Sequence, residues 1–302
     1  MGKNTIILNN LIYDWLNSKS NIKESSYTRY YNLIEEHIKY DIGKVKINKL
    51  TSDVVNSYIN NKLTNGKKDK TGGLSKNTVY DICNILKQVF KKNNININMI
   101  KISKCIGNGK SLYLYDKNKL INYLEKVDNN ISLGILLSLN LGLRESEVCG
   151  IRFCDIDLKN KIININHIIS RVKSFHTKNK TKLILSTPKT ENSKRSLPIP
   201  NKLYNKLLIL SSQYDENCFL LTGKNKFIDP RTFYNRYKKI LKKLNIKYTY
   251  HDLRHTFATN CITIGIDYKS LMELLGHSSI TTTMNIYAHP SMGTKRKYIN
   301  KL

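Results

Sequence analysis

The chain has 302 residues, a length that suggests about two domains, and its 51 lysines and arginines against 22 aspartates and glutamates leave a net charge of +29. That excess points to a polyanionic partner, while 40% hydrophobic residues is too many for a disordered basic tail. The longest apolar stretch, 131–143, is interrupted by Asn140 and two serines and falls short of the roughly 20 residues a bilayer span needs, so no membrane helix is expected.

Read from its start, MGKNTIILNN lacks an apolar signal core followed by small residues, and a cytoplasmic protein is expected. Four helices are predicted first. Ile7, Leu8, Leu11, Ile12, Trp15 and Leu16 recur at helical spacing, as do Tyr27, Tyr31, Ile34 and Ile38, then Val54, Val55, Tyr58, Ile59 and Leu63. The fourth run, Val79 to Phe90, starts behind Ser75, a good N-cap. Between the third and fourth lies Gly66-Lys-Lys-Asp-Lys-Thr-Gly-Gly73, a basic loop suited to phosphate contact or simply to solvation. Lys67, Lys68, Lys70 and Lys76 are the candidate DNA contacts there.

A stretch without apolar periodicity around 102–112, containing Gly107 and Gly109, is expected to link a first domain, 1–104, to a second, 113–302, with 105–112 as the linker. Basic residues exceed acidic ones 18 to 8 before position 105 and 33 to 14 after it. Charge of similar density in both parts fits a clamp around nucleic acid better than a basic arm. The second domain opens with helices at about 116–127 and 131–142. Its period then changes to two, so that 161–169, 182–187 and 195–199 read as three strands of a meander. Helices return at about 201–212, 230–244, 252–264, 268–275 and 280–287. The expected fold is mainly α with a small antiparallel β-sheet. The six cysteines are scattered without a Cys-x-x-Cys pair, as expected of reduced thiols.

Four segments of the second domain stand out: Gly142-Leu-Arg-Glu-Ser-Glu147, Thr187-Pro-Lys-Thr-Glu-Asn-Ser-Lys-Arg195, His251-Asp-Leu-Arg-His-Thr256, and the run from Leu275-Gly-His277 to Tyr287. In this order and spacing they closely resemble the tyrosine recombinase, or phage integrase, family. The resemblance implies a helical SAM-like core-binding domain followed by a tyrosine recombinase catalytic domain.

Residue chemistry runs parallel to the resemblance. Rejoining DNA without ATP requires storing the phosphodiester energy in a covalent intermediate, which a hydroxyl nucleophile can form. Tyr287, ten residues after His277, matches the family's nucleophile motif. Arg144 and Arg254 suit a phosphoryl transition state because guanidinium is always charged and donates bidentately to phosphate. His251 and Arg254, at i and i+3, can reach one phosphate. His251 is also a candidate general base, and a rival reading pairs it with His255 as a zinc site, although Asp252 stands where the metalloprotease signature has Glu. His277 follows Gly276, a helix C-cap candidate, and can donate to a phosphate oxygen. Lys189, on the family's Pro-Lys-Thr hairpin pattern, is the candidate acid that protonates the departing 5′ oxygen, with Lys182 and Lys194 as rivals. Glu147 occupies the place of an acid with which the family buttresses its active-site histidine or lysine.

The resemblance further implies a site-specific DNA recombinase acting on a mobile element through a 3′-phosphotyrosyl intermediate and a Holliday junction, with no metal or cofactor. Its partners would be double-stranded DNA core sites with inverted repeats, three further copies of itself in a homo-tetrameric synapse, and an accessory excision factor. A type IB topoisomerase-like relaxing enzyme and a catalytically silent DNA-binding regulator on the same fold are the alternatives. Because the first helix begins near residue 5, no arm-binding domain is expected before it, and short core sites should suffice for recombination.

Overall fold

In a computed structural model of the chain, the described residues are 6–19, 22–69, 71–105, 109–174, 181–188, 190–277, 279, 292, 296, 299 and 300. They fall into two compact units, Met1–Ile106 with Val172–Lys180, and Gly107–Arg171 with Thr181–Leu302.

The first unit is helical. Helices α1 (Leu8–Asn17), α2 (Glu24–Leu33), α3 (Ser52–Asn65) and α4 (Lys76–Lys92) occupy the four expected stretches, with α2 running into a π-helical turn at Ile34–Ile38. The apolar stripes named from spacing converge: Leu8, Ile12, Leu16, Ile34, Ile38, Ile59, Ile82 and Leu86 are all buried in one core. Helix starts are set by hydroxyl caps. The Thr51 side chain accepts the Val54 N–H at 3.3 Å and Ser75 accepts that of Thr78 at 3.1 Å, each cap contributing about 1 kcal/mol. Lys67, Lys68 and Lys76 are exposed on and beside the α3–α4 loop, and Lys70 lies outside the described residues.

The second unit is built around α6 (Asn130–Leu141), which is apolar on every side and nearly all buried. This is the 131–143 run, and its environment is a protein core. Helix α5 (Leu114–Val127) precedes it and the short α7 (Glu145–Val148), not anticipated from spacing, follows it. Helices α8 (Asn201–Gln213), α9 (Pro230–Lys243), α10 (Tyr250–Ile264) and α11 (Tyr268–Leu275) complete the layer, and the helix expected at 280–287 lies outside the described residues. Among the described residues, no helix is long and apolar enough to cross a membrane.

The strands correct the expected meander. The run 161–169 is two strands, β2 (Ile162–Ile165) and β3 (Ile168–Lys173). With β1 (Ile156–Asp157) and β5 (Arg195–Pro198), β2 forms an antiparallel sheet in the order β1-β2-β5, and β3 pairs separately with β4 (Thr181–Ser186). The break comes from packing against residues outside the run. The Asn166 amide donates to buried Asp155 at 2.9 Å, and the His167 carbonyl presses on Gly150, where a Cβ would come within 2.6 Å of it. Residues 166 and 167 are thereby drawn out of the ladder, and β2 is left to pair with β5 in the register Ile163 opposite Leu197 and Ile165 opposite Arg195.

Candidate active site

Helices α6, α10 and α11 end on left-handed glycines, and the ends of α6 and α11 present candidate residues. Gly142 closes α6 with φ 64°, and Gly276 closes α11 with φ 64°, a conformation that costs glycine little. A Cβ at Gly142 would come within 2.5 Å of the Phe257 ring, so the turn is also tightly packed. Arg144 stands two residues past the first glycine, at the N-cap of α7, and His277 directly follows the second.

Arg254 fastens these two ends together. It sits in α10, only 2% exposed, and donates to the Gly142 carbonyl at 2.8 Å and to the Leu275 carbonyl at 2.6 Å. Helix C-terminal carbonyls carry partial negative charge and lack partners within their own helix, which makes them good acceptors for a buried guanidinium. Arg144 reaches across to the Gly276 carbonyl at 3.5 Å. Arg144, Arg254 and His277 are thus brought together by hydrogen bonds to the helix ends.

Helix α10 is itself anchored at both faces of its first turn. Tyr250 hydrogen-bonds Ser138 of α6 and stacks edge-on with Phe233 and Tyr237, with ring centroids 5.3 and 5.2 Å away. The buried Asp252 carboxylate caps the helix by accepting the Thr249 N–H at 2.7 Å, and also accepts the Lys110 N–H at 3.3 Å. Residues 110–112 continue along the helix, where the Leu112 N–H donates to Thr256 at 2.8 Å. His251 projects from this first turn, with its ring 4.7 Å from that of His255 and nearly perpendicular to it. Among the described residues, no group of three His, Cys, Asp or Glu is placed to hold a metal ion. A groove of about 660 Å³ abuts the same helix start and is lined by Lys110, Lys238, Lys242, Lys247 and Tyr248.

Both histidines are held neutral. Burial, then the charges of His255, Arg254 and Arg144, lowers His251 to about 4, although the residue as a whole is exposed. Burial, then Arg254, Arg144 and Arg195, lowers His277 to about 3. Below the ordinary value of 6.5 the unfolded chain binds protons that the folded chain refuses, so stability falls as pH drops from about 6.5 towards 4 and 3. Thermal unfolding of the DNA-free protein should therefore occur at lower temperature at pH 5 than at pH 7.5, and His277→Asn should flatten the dependence. A variant with the same pH profile as the wild type would exclude His277 as a source of it.

Glu147 is the expected support of a histidine or lysine; among the described residues it hydrogen-bonds two arginines, while Lys189 lies outside them. One carboxylate oxygen accepts from Arg144 Nη1 at 2.5 Å and the other from the Arg144 N–H at 2.9 Å, while Arg195 donates to the two oxygens at 3.3 and 3.0 Å. Burial pushes this carboxyl up, but the attraction of Arg195, followed by Arg144 and Arg254, outweighs it and holds Glu147 at about 2. In a site dominated by guanidinium groups, a buried carboxylate binds the nearest permanent cations. Arg195 was missed in the sequence, although a signal was present: it shares the alternating face of Leu197 and Ile199, both buried, and a charge on an apolar face requires a partner. Lys189 and Tyr287 lie outside the described residues; the rivals Lys182 and Lys194 are described.

Comparison with known proteins gives the family and the fold. Residues 110–293 match the phage integrase family, and residues 7–63 match the phage integrase N-terminal SAM-like domain. A tyrosine recombinase XerC-like protein of Caldanaerobacter subterraneus subsp. tengcongensis is 27% identical over 320 residues, covering 94% of this chain and 79% of that one. The transposase from transposon Tn916 of Enterococcus faecalis is 30% identical over 185 residues, 56% of this chain and 44% of the transposase. Among solved structures, the Tn1549 transposon integrase in complex with transposon right end DNA shares the fold, with a TM-score of 0.79 and 20% identity over 98% of this chain and 99% of that one. With the family's model spanning more than half of its length, the chain belongs to the phage integrase family and is a tyrosine recombinase.

Proposed function

We propose that the chain is the integrase of a mobile element, cutting and rejoining double-stranded DNA at core sites made of inverted repeats. The observation that carries this reading is the joint placement of Arg144, Arg254 and His277 at two helix ends fastened by Arg254. Two guanidinium groups and a neutral imidazole form a cradle for the non-bridging oxygens of a phosphodiester, where negative charge grows in the transition state.

In this reading the Tyr287 oxygen attacks the phosphorus, its proton passes to neutral His251, and the bond to the 5′ oxygen breaks as Lys189 protonates that oxygen. The products are a 3′-phosphotyrosyl bond and a free 5′ hydroxyl. A 5′ hydroxyl from the partner duplex then attacks the phosphotyrosine, restoring a phosphodiester and the tyrosine. Bond energy is conserved throughout, so no nucleotide, cofactor or metal is required. Two such exchanges pass through a Holliday junction within a homo-tetramer, and an accessory factor directs excision. Lys67, Lys68, Lys70 and Lys76 of 1–104, and the lysine-lined groove beside α10, neutralise backbone phosphates of the bound DNA. The reaction takes place in the cytoplasm, where the chromosome is accessible.

Recovering covalent protein–DNA adducts from cells and sequencing the attached strands tests the reading. The expected result is tyrosine-linked 3′ ends mapping to inverted-repeat core sites, with recombinant joints between two duplexes. Relaxation of supercoils without exchanged joints would assign the chain to the topoisomerase-like alternative, and the absence of any adduct would make it a silent regulator.

A further inference from the structure

Arg195 is not one of the three residues placed at the helix ends, Arg144, Arg254 and His277, yet its surroundings are those of a hub. Its side chain is 6% exposed. Nε donates to the Leu274 carbonyl at 2.7 Å, Nη1 to the Ser193 carbonyl at 3.2 Å and to Glu147 at 3.3 Å, and Nη2 to the other Glu147 oxygen at 3.0 Å. The side chain also packs against the Gly276 turn, where a Cβ would lie 3.1 Å from Nη1 and 3.2 Å from Cδ. Three segments therefore meet on one guanidinium: α7 with Glu147, the end of α11 that leads into His277, and the 190–195 turn that leads into β5.

We infer that Arg195 is a positioning residue for the cutting step, holding Glu147 so that the carboxylate aligns Arg144 and fixing the turn that carries His277. The inference rests on the recombinase reading. Four of the five guanidinium N–H groups are committed to Leu274, Ser193 and Glu147, so Arg195 acts through its neighbours and does not touch the phosphate itself. Both Glu147 oxygens are shared between the two arginines. Without Arg195, the carboxylate is free to turn fully onto Arg144 and draw its donors away from the substrate. A displacement of the order of 1 Å in such a group costs about 100-fold in rate.

The test is single-turnover formation of the covalent adduct on a nicked duplex core site at saturating full-length protein. Arg195→Lys keeps the charge and loses the fork that binds Glu147 and Leu274 together. It should bind DNA within about threefold of the wild type while forming adduct about 10- to 100-fold more slowly. In an Arg144→Lys background the same change should add less than about threefold, because both act through one group. A wild-type adduct rate in Arg195→Lys, or losses that multiply in the double variant, overturns the inference. Should Arg195→Lys fail to fold, Glu147→Gln preserves the shape and removes the charge that Arg195 grips. It should show the same slowing, and a wild-type rate there also overturns the inference. If the wild type forms no adduct, the recombinase reading fails instead, and the two failures are thereby distinguished.

Discussion

Tyr287→Phe is expected to bind core-site DNA as the wild type does and to form no covalent adduct, a loss of about 10⁴-fold or more of the kind seen when a nucleophile is removed. The substitution keeps the ring and deletes only the oxygen that would bond to phosphorus. Nineteen tyrosines compete for this role. Several of the described ones are poor rivals on physical grounds. Burial pushes the phenols of Tyr58, Tyr237 and Tyr250 up and closes them off from solvent. Tyr13, raised to about 12 by burial and its bond to Glu35, belongs to the first helical unit. Adduct formation by the phenylalanine variant, with the linkage mapped by mass spectrometry, would transfer the nucleophile to another residue and would remove the significance of the spacing after His277.

Arg254→Ala should slow adduct formation on bound DNA by about 10² to 10³, the scale for losing one transition-state donor. It should also lower thermal stability, because the Gly142 and Leu275 carbonyls would each lose a buried charged donor, at about 1 to 3 kcal/mol per unsatisfied group. The two effects are separable with Arg254→Lys, whose single ammonium supplies charge but cannot bridge both carbonyls while reaching a phosphate. Adduct formation by the lysine variant should remain well below the wild-type rate even where its melting temperature is largely restored. Cutting at the wild-type rate in either variant would confine Arg254 to a structural role.

The local level of this protein was legible from the order of its residues. Apolar spacing located the described helices of both units except the short α7, Ser75 announced the start of α4, and Gly276 announced the end of α11. Those features depend on neighbours within a turn or two, where side-chain period, a capping hydroxyl or a left-handed glycine acts on the adjacent backbone. The order of the four motifs likewise named the family before any geometry was known. The sheet was not legible in this way: strand period says which residues face inward but not which strand they meet, and the contact of His167 on Gly150 that divides 161–169 joins residues distant in sequence. The same holds for the site. That Arg254 joins the carbonyl ends of α6 and α11, and that Glu147 is gripped by Arg195 across 48 residues, follows only from packing α6, α10, α11 and β5 together. Charged groups buried by that packing take whichever partners the fold places beside them, and no local pattern specifies those partners in advance.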